Sequence, residues 1–148
     1  MRLSRNAHYA IRTVIDLALR ERGRSAEVAR RQGIPHAYMA RIVHGLSTAG
    51  IVRTFRGTHG GIQLAKPATS ITLRDVVEAT EGPLALNLCV VWDDCQCAQP
   101  CPVRASLARL QSVVERELES VTVEQLAKRL PDGWPQADGS VVAPRASQ

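Results

Sequence analysis

Aromatic residues are scarce in this sequence of 148 residues: two Trp, two Tyr and one Phe, 3% of the chain. So few stacking platforms argue against a single-strand nucleic-acid reader of the oligonucleotide-barrel or RNA-recognition kind. Long apolar runs are missing too. Arg5, Arg12, Asp16 and Arg20 interrupt the apolar stretches of the first twenty-odd residues. Neither a secretory core nor a membrane span is expected, and the protein is expected to be cytoplasmic. Catalytic signatures are absent as well: no phosphate loop, no carboxylate pair, no nucleophile beside a plausible base. The four histidines (His8, His36, His44, His59) all fall in the first half. An enzyme with a small-molecule substrate is not expected. Internal repeats and long low-complexity tracts are likewise lacking. What remains is ordinary, 45% hydrophobic and 22% charged, with enough chain for one core and hardly two.

The charge is unevenly placed. The net +5 hides a first part, residues 1–66, with 12 Lys/Arg against 3 Asp/Glu, and a remainder with 7 against 11. A balance of +9 joined to one of −4 predicts that only the first part meets a polyanion.

Hydrophobic spacing organises the chain. Ser4 can cap a first helix to about Arg22, with Ala7, Ala10, Ile11, Val14, Ile15 and Ala18 recurring at helical steps and Gly23 ending it. Ser25 can cap a short second helix that turns inward Val28 and Ala29. Gly33-Ile34-Pro35 then leads into a third, whose inward stripe is Met39, Ile42, Val43 and Leu46, with Gly50 as its stop. Three short helices with a glycine-containing turn before the third read as a helix-turn-helix. Residues 51–56 and 62–65 alternate apolar and polar around Gly57-Thr58-His59-Gly60-Gly61, a hairpin that reads as a wing. The fold class is therefore mainly α with a small β-hairpin: a winged helix-turn-helix followed by a long C-terminal helix.

The remainder is helical again. Thr72 with Asp75 forms a capping box, and Ile71 with Val76 a hydrophobic staple, for a helix ending at Gly82-Pro83. The cysteine segment reads as irregular. Pro102 opens a helix to about Ser120 whose stripe, Val103, Leu107, Leu110, Val114, Leu118 and Val121, is spaced 4, 3, 4, 4 and 3, close to a coiled-coil seam. Such a stripe either packs on its own domain or joins two copies. The compact first part has little apolar face to spare, which favours a homodimer. Thr122 and Gln125 cap a last short helix, with Val121 and Leu126 as its staple. Three units follow: a winged DNA-binding part over 1–66, a cysteine loop with dimerisation helices over 67–130, and a tail over 131–148, rich in Pro and Gly, expected to be disordered.

With its apolar stripe inward, the third helix would present His36, Ala37, Ala40, Arg41 and His44 to a major groove, the two alanines allowing close approach to base edges. Tyr38 lies at the boundary, its hydroxyl available to a phosphate. Arg56 and His59 sit beside glycines in the wing, where a cation can enter the minor groove. Arg2, Arg5 and Arg53 read as phosphate contacts, which set register without reading sequence. Any one of these cations could be only a solvated charge. The whole group on this pattern points to double-stranded DNA.

Four cysteines (Cys89, Cys95, Cys97, Cys101) fall within thirteen residues. In a cytosolic chain such a cluster binds metal or senses redox state more often than it forms a disulfide framework. Structural zinc takes Cys-x2-Cys knuckles, and none is present. Cys89, Cys95 and Cys101, spaced five and five residues in a polar loop, suit an iron–sulfur cluster better. Cys101 precedes the Pro102 helix start, whose positive end offsets part of a cluster's negative charge, while Asp93 and Asp94 act in the opposite sense.

Met1-Arg2-Leu3-Ser4, the segment Tyr38–Gly50, the wing Arg56-Gly57-x-x-Gly60-Gly61-x-x-Leu64-x-Lys66-Pro67 and three cysteines before a long helix together resemble the Rrf-two family of bacterial transcription regulators, of the IscR, NsrR and RirA type. The resemblance covers about residues 1–130. It implies a winged helix-turn-helix homodimer joined through residues 102–120, a cluster on Cys89, Cys95 and Cys101, and palindromic operators bound according to cluster state. The IscR type has a ligating His three residues after the last cysteine, where this chain has Arg104, which cannot coordinate iron. The NsrR type borrows an acidic side chain from the partner's first helix, at the position of His8. An imidazole there could ligate in trans; Cys97, which the familiar patterns lack, is its rival. The cluster stays open between 2Fe–2S and 4Fe–4S. The expected role is a regulator, more specifically a repressor, answering nitric oxide, redox or iron status. Two alternatives stand beside it. One is a thiol–disulfide switch through Cys95 and Cys97, or Cys97 and Cys101. The other is an iron–sulfur accessory protein whose basic part docks an acidic partner.

Overall fold

A computed structural model of the chain describes residues 3–57, 60–91 and 100–130. Arg2, His59, Cys95, Cys97 and the segment 131–148, all named above, lie outside them. The elements run α1 (Arg5–Arg20), β1 (Arg22–Gly23), α2 (Ser25–Gln32), α3 (His36–Thr48), β2 (Val52–Phe55), β3 (Gly61–Leu64), a 3-10 turn (Ala68–Ser70), α4 (Leu73–Glu81), α5 (Leu88–Val91), α6 (Pro102–Ser120) and α7 (Val123–Lys128).

Local chemistry sets most of these boundaries. The Ser4 hydroxyl accepts the Ala7 N–H at 3.3 Å and starts α1. Thr72 and Asp75 exchange side-chain bonds with each other's N–H at 3.1 and 2.9 Å, and Thr122 and Gln125 repeat the device at 3.2 and 3.0 Å. Each box satisfies two of the donors a helix start leaves orphaned. Pro102 occupies the first turn of α6, where its missing N–H costs nothing.

Four expectations are corrected. α1 leaves helical geometry at Glu21, with φ of 64°, before reaching Gly23. Residues 22–23 then pair antiparallel with β3, so the expected β2–β3 hairpin is present but gains a third strand, in the order β1-β3-β2. Ser25 is already helical; Arg24 caps α2, and its N–H donates to the Glu27 carboxylate at 3.3 Å. Part of the cysteine segment is regular, since Cys89 sits in α5.

The core gathers Ala10, Val14 and Leu17 of α1, Val28 of α2, Met39, Ile42 and Leu46 of α3, and Ile62 of β3. It does not stop at residue 66. Ile71, Val76 and Val123 are as buried as the rest, and α1 packs on both α4 and α7. Backbone bonds from Leu73 N–H to the Val121 carbonyl (2.8 Å) and from Val123 N–H to the Ile71 carbonyl (2.9 Å) close the two helix starts side by side. The returning chain thus completes the core under α1. No helix among the described residues is long and apolar enough to cross a membrane.

Candidate nucleic-acid interface and cysteine segment

α3 divides as its spacing demands. Met39, Ile42 and Leu46 are buried and Val43 half-buried, while His36, Ala37, Ala40, Arg41 and His44 are exposed. Tyr38 is half-buried, its ring edge-on to Tyr9 of α1 at 5.5 Å. Arg5 and Arg56 are exposed at the start of α1 and the end of β2. The Ser4 N–H donates to Glu81 at 2.6 Å, which ties that start to the end of α4. Arg53 is exposed on the outer face of the sheet.

Two residues beside this face carried no signal in the periodicity. Asn6 lines a hollow of about 340 Å³ between α1, α3 and α4 together with Arg41 and His44. Its Oδ1 is buried there with no partner among the described residues. Gly45 marks the closest approach of α3 to α4: a Cβ at this position would stand 2.6 Å from the Ala79 carbonyl oxygen. Glycine inside a helix normally costs about 1 kcal/mol against alanine. Gly45→Ala is nevertheless expected to lower stability by about 1–2 kcal/mol, because a backbone oxygen cannot rotate away. Thermal unfolding checks this; a variant more stable than wild type would mean α3 can slide freely on α4.

The cysteine segment is described at its two ends. Cys89 in α5 and Cys101 at the cap of α6 are half-exposed free thiols, and α5 packs on α6. The Cys101 sulfur accepts the Arg104 N–H at 3.5 Å. Among the described residues no three potential metal-binding side chains converge, two of the four cysteines being outside them. His8 lines a hollow on the first turns of α1 with Arg5 and Arg12. Partial burial and then the charge of Arg12 lower its pKa from the ordinary histidine value. The neutral imidazole so favoured is the form able to bind a metal.

The stripe on α6 separates into two faces. Leu107, Val114 and Leu118 are half-buried, in line with Gln111. The Gln111 side chain accepts the Leu86 N–H at 3.2 Å and donates to the Leu84 carbonyl at 3.0 Å and to Glu115 at 2.9 Å. Val103, Leu110 and Val113 are 61%, 56% and 46% exposed. Val113 escaped the heptad count because it lies off the regular seam. Packing on its own chain takes one face of α6 and leaves the other uncovered. Arg74 of α4 fastens the near side: it bonds Glu78 at 3.1 Å and lies 3.8 Å from Glu115 and 3.5 Å from Glu119 of α6.

The chain is similar to known proteins in sequence and fold. The model of the Rrf2 family, described as an iron-dependent transcriptional regulator, matches residues 3–129. Protein aau3 of Rhizobium meliloti (strain 1021) is 33% identical over 135 residues, covering 88% of each chain. The structure of CymR (YrzC), the global cysteine regulator of B. subtilis, superposes with a TM-score of 0.72 at 25% identity, covering 87% of this chain and 98% of that one. IscR of T. potens shares the fold, with a TM-score of 0.69 at 23% identity over 87% of this chain and 88% of its own.

Proposed function

Because the chain belongs to the Rrf2 family of transcriptional regulators, we propose that it acts as a cytoplasmic homodimer on palindromic double-stranded operators, under control of an iron–sulfur cluster held by Cys89, Cys95 and Cys101. The observation that carries the DNA reading is the exposed face of α3, whose Arg41, two histidines and small residues face outward beside a cationic wing. The division at residue 66 is then one of role, reader against sensor and dimer helix, within a shared core.

The donor set fits the cluster as far as it is described: two half-exposed free thiols stand on adjoining helices, one of them at a helix start. When bound, the cluster supplies a redox- and nitric-oxide-sensitive centre of 2Fe–2S or 4Fe–4S type. His8 of the partner subunit or Cys97 serves as the fourth ligand. Cys101 fixes the start of α6 through the Arg104 N–H, and Gln111 holds residues 84–86 against the same helix. Glu115 passes any movement of α6 to Arg74, and α4 meets α3 at Gly45. Rearrangement of residues 84–101 therefore reaches the recognition helix, and the uncovered Val103, Leu110 and Val113 make α6 the dimer contact that re-spaces the two half-site readers.

Anaerobic purification tests the reading. The expected result is a coloured, iron-containing dimer whose affinity for a duplex selected from random DNA changes at least tenfold when the cluster is lost. Cys101→Ala should come out colourless with α-helical content intact. A colourless, iron-free wild type from anaerobic cells would end the cluster reading. A thiol switch would then take its place, supported by the likeness to a global cysteine regulator, and a mass loss of two hydrogens after peroxide would mark it.

A further inference from the structure

The outer face of the sheet carries an aromatic residue that neither the core nor the wing turn uses. Phe55 is 41% exposed at the end of β2. Burial does not explain the placement of this residue, the single Phe of the sequence. The guanidinium carbons of Arg22 and Arg53 both lie 5.6 Å from the centre of its ring. The register accounts for this meeting. Arg22 and Arg53 both oppose Gln63 of the central strand, so all three side chains share one face. Phe55 opposes Gly61, where a Cβ would stand 2.8 Å from the Gly23 carbonyl oxygen, so a side chain there would push β1 away. With its amide oxygen toward Arg53, Gln63 accepts from Arg53 Nε at 2.8 Å and from its Nη2, which uses two of that guanidinium's five donors.

We infer that Arg22, Phe55 and Arg53 form a prearranged phosphate clamp for the operator backbone flanking the groove that Arg56 enters. The inference rests on the DNA-binding reading and adds to it a strand, β1, and a positioning residue, Phe55. Phe55 directly precedes Arg56, so the platform lies at the wing-tip end of the sheet. A ring in contact with two guanidiniums restricts both long side chains, which would otherwise lose rotamer freedom on binding. Phosphate is the ligand because two guanidiniums held against one ring on an exposed sheet face suit the repeated anions of a duplex backbone. An acidic protein partner is the competing outcome.

The test measures log Kobs against log salt for the full-length dimer on the selected duplex. Arg22→Ala and Arg53→Ala are each expected to lower the steepness of that line by about 1 per protomer, about 2 per dimer. Phe55→Leu should weaken binding about fivefold, whereas Phe55→Tyr, which keeps the ring, should bind like wild type. Phe55→Leu should also add little to the Arg22→Ala, Arg53→Ala double variant, because a positioning residue has nothing left to position. Should Phe55→Leu fail to fold, the two arginine variants and the tyrosine variant still decide the matter. Unchanged slopes in both arginine variants, with Arg41→Ala still weakening binding, would overturn the clamp and leave the regulator reading intact. A wild type whose affinity ignores salt would instead overturn the DNA-binding reading itself.

Discussion

Asp16→Ala is expected to lower the stability of the fold by about 3 kcal/mol, a large share of the roughly 5–15 kcal/mol typical of a domain. Asp16 is 2% exposed on the inner side of α1. Its carboxylate accepts from Arg31 Nε at 3.2 Å and Nη2 at 2.6 Å, and from Gln32 Nε2 at 2.9 Å. Arg20, one turn along α1, lies 3.6 Å away but is largely exposed and adds little. Removing the carboxylate leaves the Gln32 amide buried without that acceptor and a guanidinium that is only 20% exposed without its counter-charge. The hydrogen bond to Asp16 raises the Arg31 pKa further above its already high value. The arginine side of the pair loses its charge only as pH rises through the arginine range, above any ordinary working pH.

Urea denaturation followed by helical circular dichroism checks the value. With a slope of about 1–3 kcal/mol/M, the midpoint should fall by about 1–3 M. Asp16→Ala combined with Arg31→Ala should cost clearly less than the two single losses added together, because the second change relieves a charge the first one stranded. A single variant within 0.5 kcal/mol of wild type would show that the pair only replaces solvation and does not hold α2 on α1.

Arg41→Ala is expected to leave stability unchanged and to weaken operator binding severely. The side chain is exposed in the middle of the outward face of α3, with the small residues Ala37 and Ala40 beside it. A bidentate contact from Arg to guanine contributes about 1–3 kcal/mol. Two half-sites double the loss to about 2–6 kcal/mol, a drop in affinity from about 30-fold to about 20,000-fold. Titration on specific and scrambled duplexes distinguishes the roles. Loss of discrimination at an unchanged salt slope marks a base reader. A uniform loss with a slope lower by about 1 per protomer marks a phosphate contact.

The elements that were readable in the chain are those made by neighbours. The boxes at Thr72–Asp75 and Thr122–Gln125, the cap at Ser4 and the Pro102 start depend on side chains three residues from the backbone they serve. The inward stripe of α3 follows from helical spacing, and so does the exposed set His36, Ala37, Ala40, Arg41 and His44. Family membership was readable for a related reason: the wing glycines and the cysteine spacing form local patterns.

Tertiary structure decided what depends on distant partners. β1 is two residues long and exists only because β3 lies beside it, so no periodicity could announce it. Asp16 reads as a charge interrupting an apolar run; only the arrival of Arg31 and Gln32 from α2 makes it the buried acceptor that joins two helices. Gly45 resembles any helix glycine until Ala79 is placed against it, and Phe55 any strand residue until strand pairing brings Arg22 to its ring. The α6 stripe carried both readings at once, and packing divided it, Leu107, Val114 and Leu118 being half-buried while Val103 and Leu110, with the off-seam Val113, stay outside. Short-range bonds are written into the order of residues. Which charge, glycine or apolar face meets which partner depends on contacts between segments far apart in the chain, and only the closed core brings those segments together.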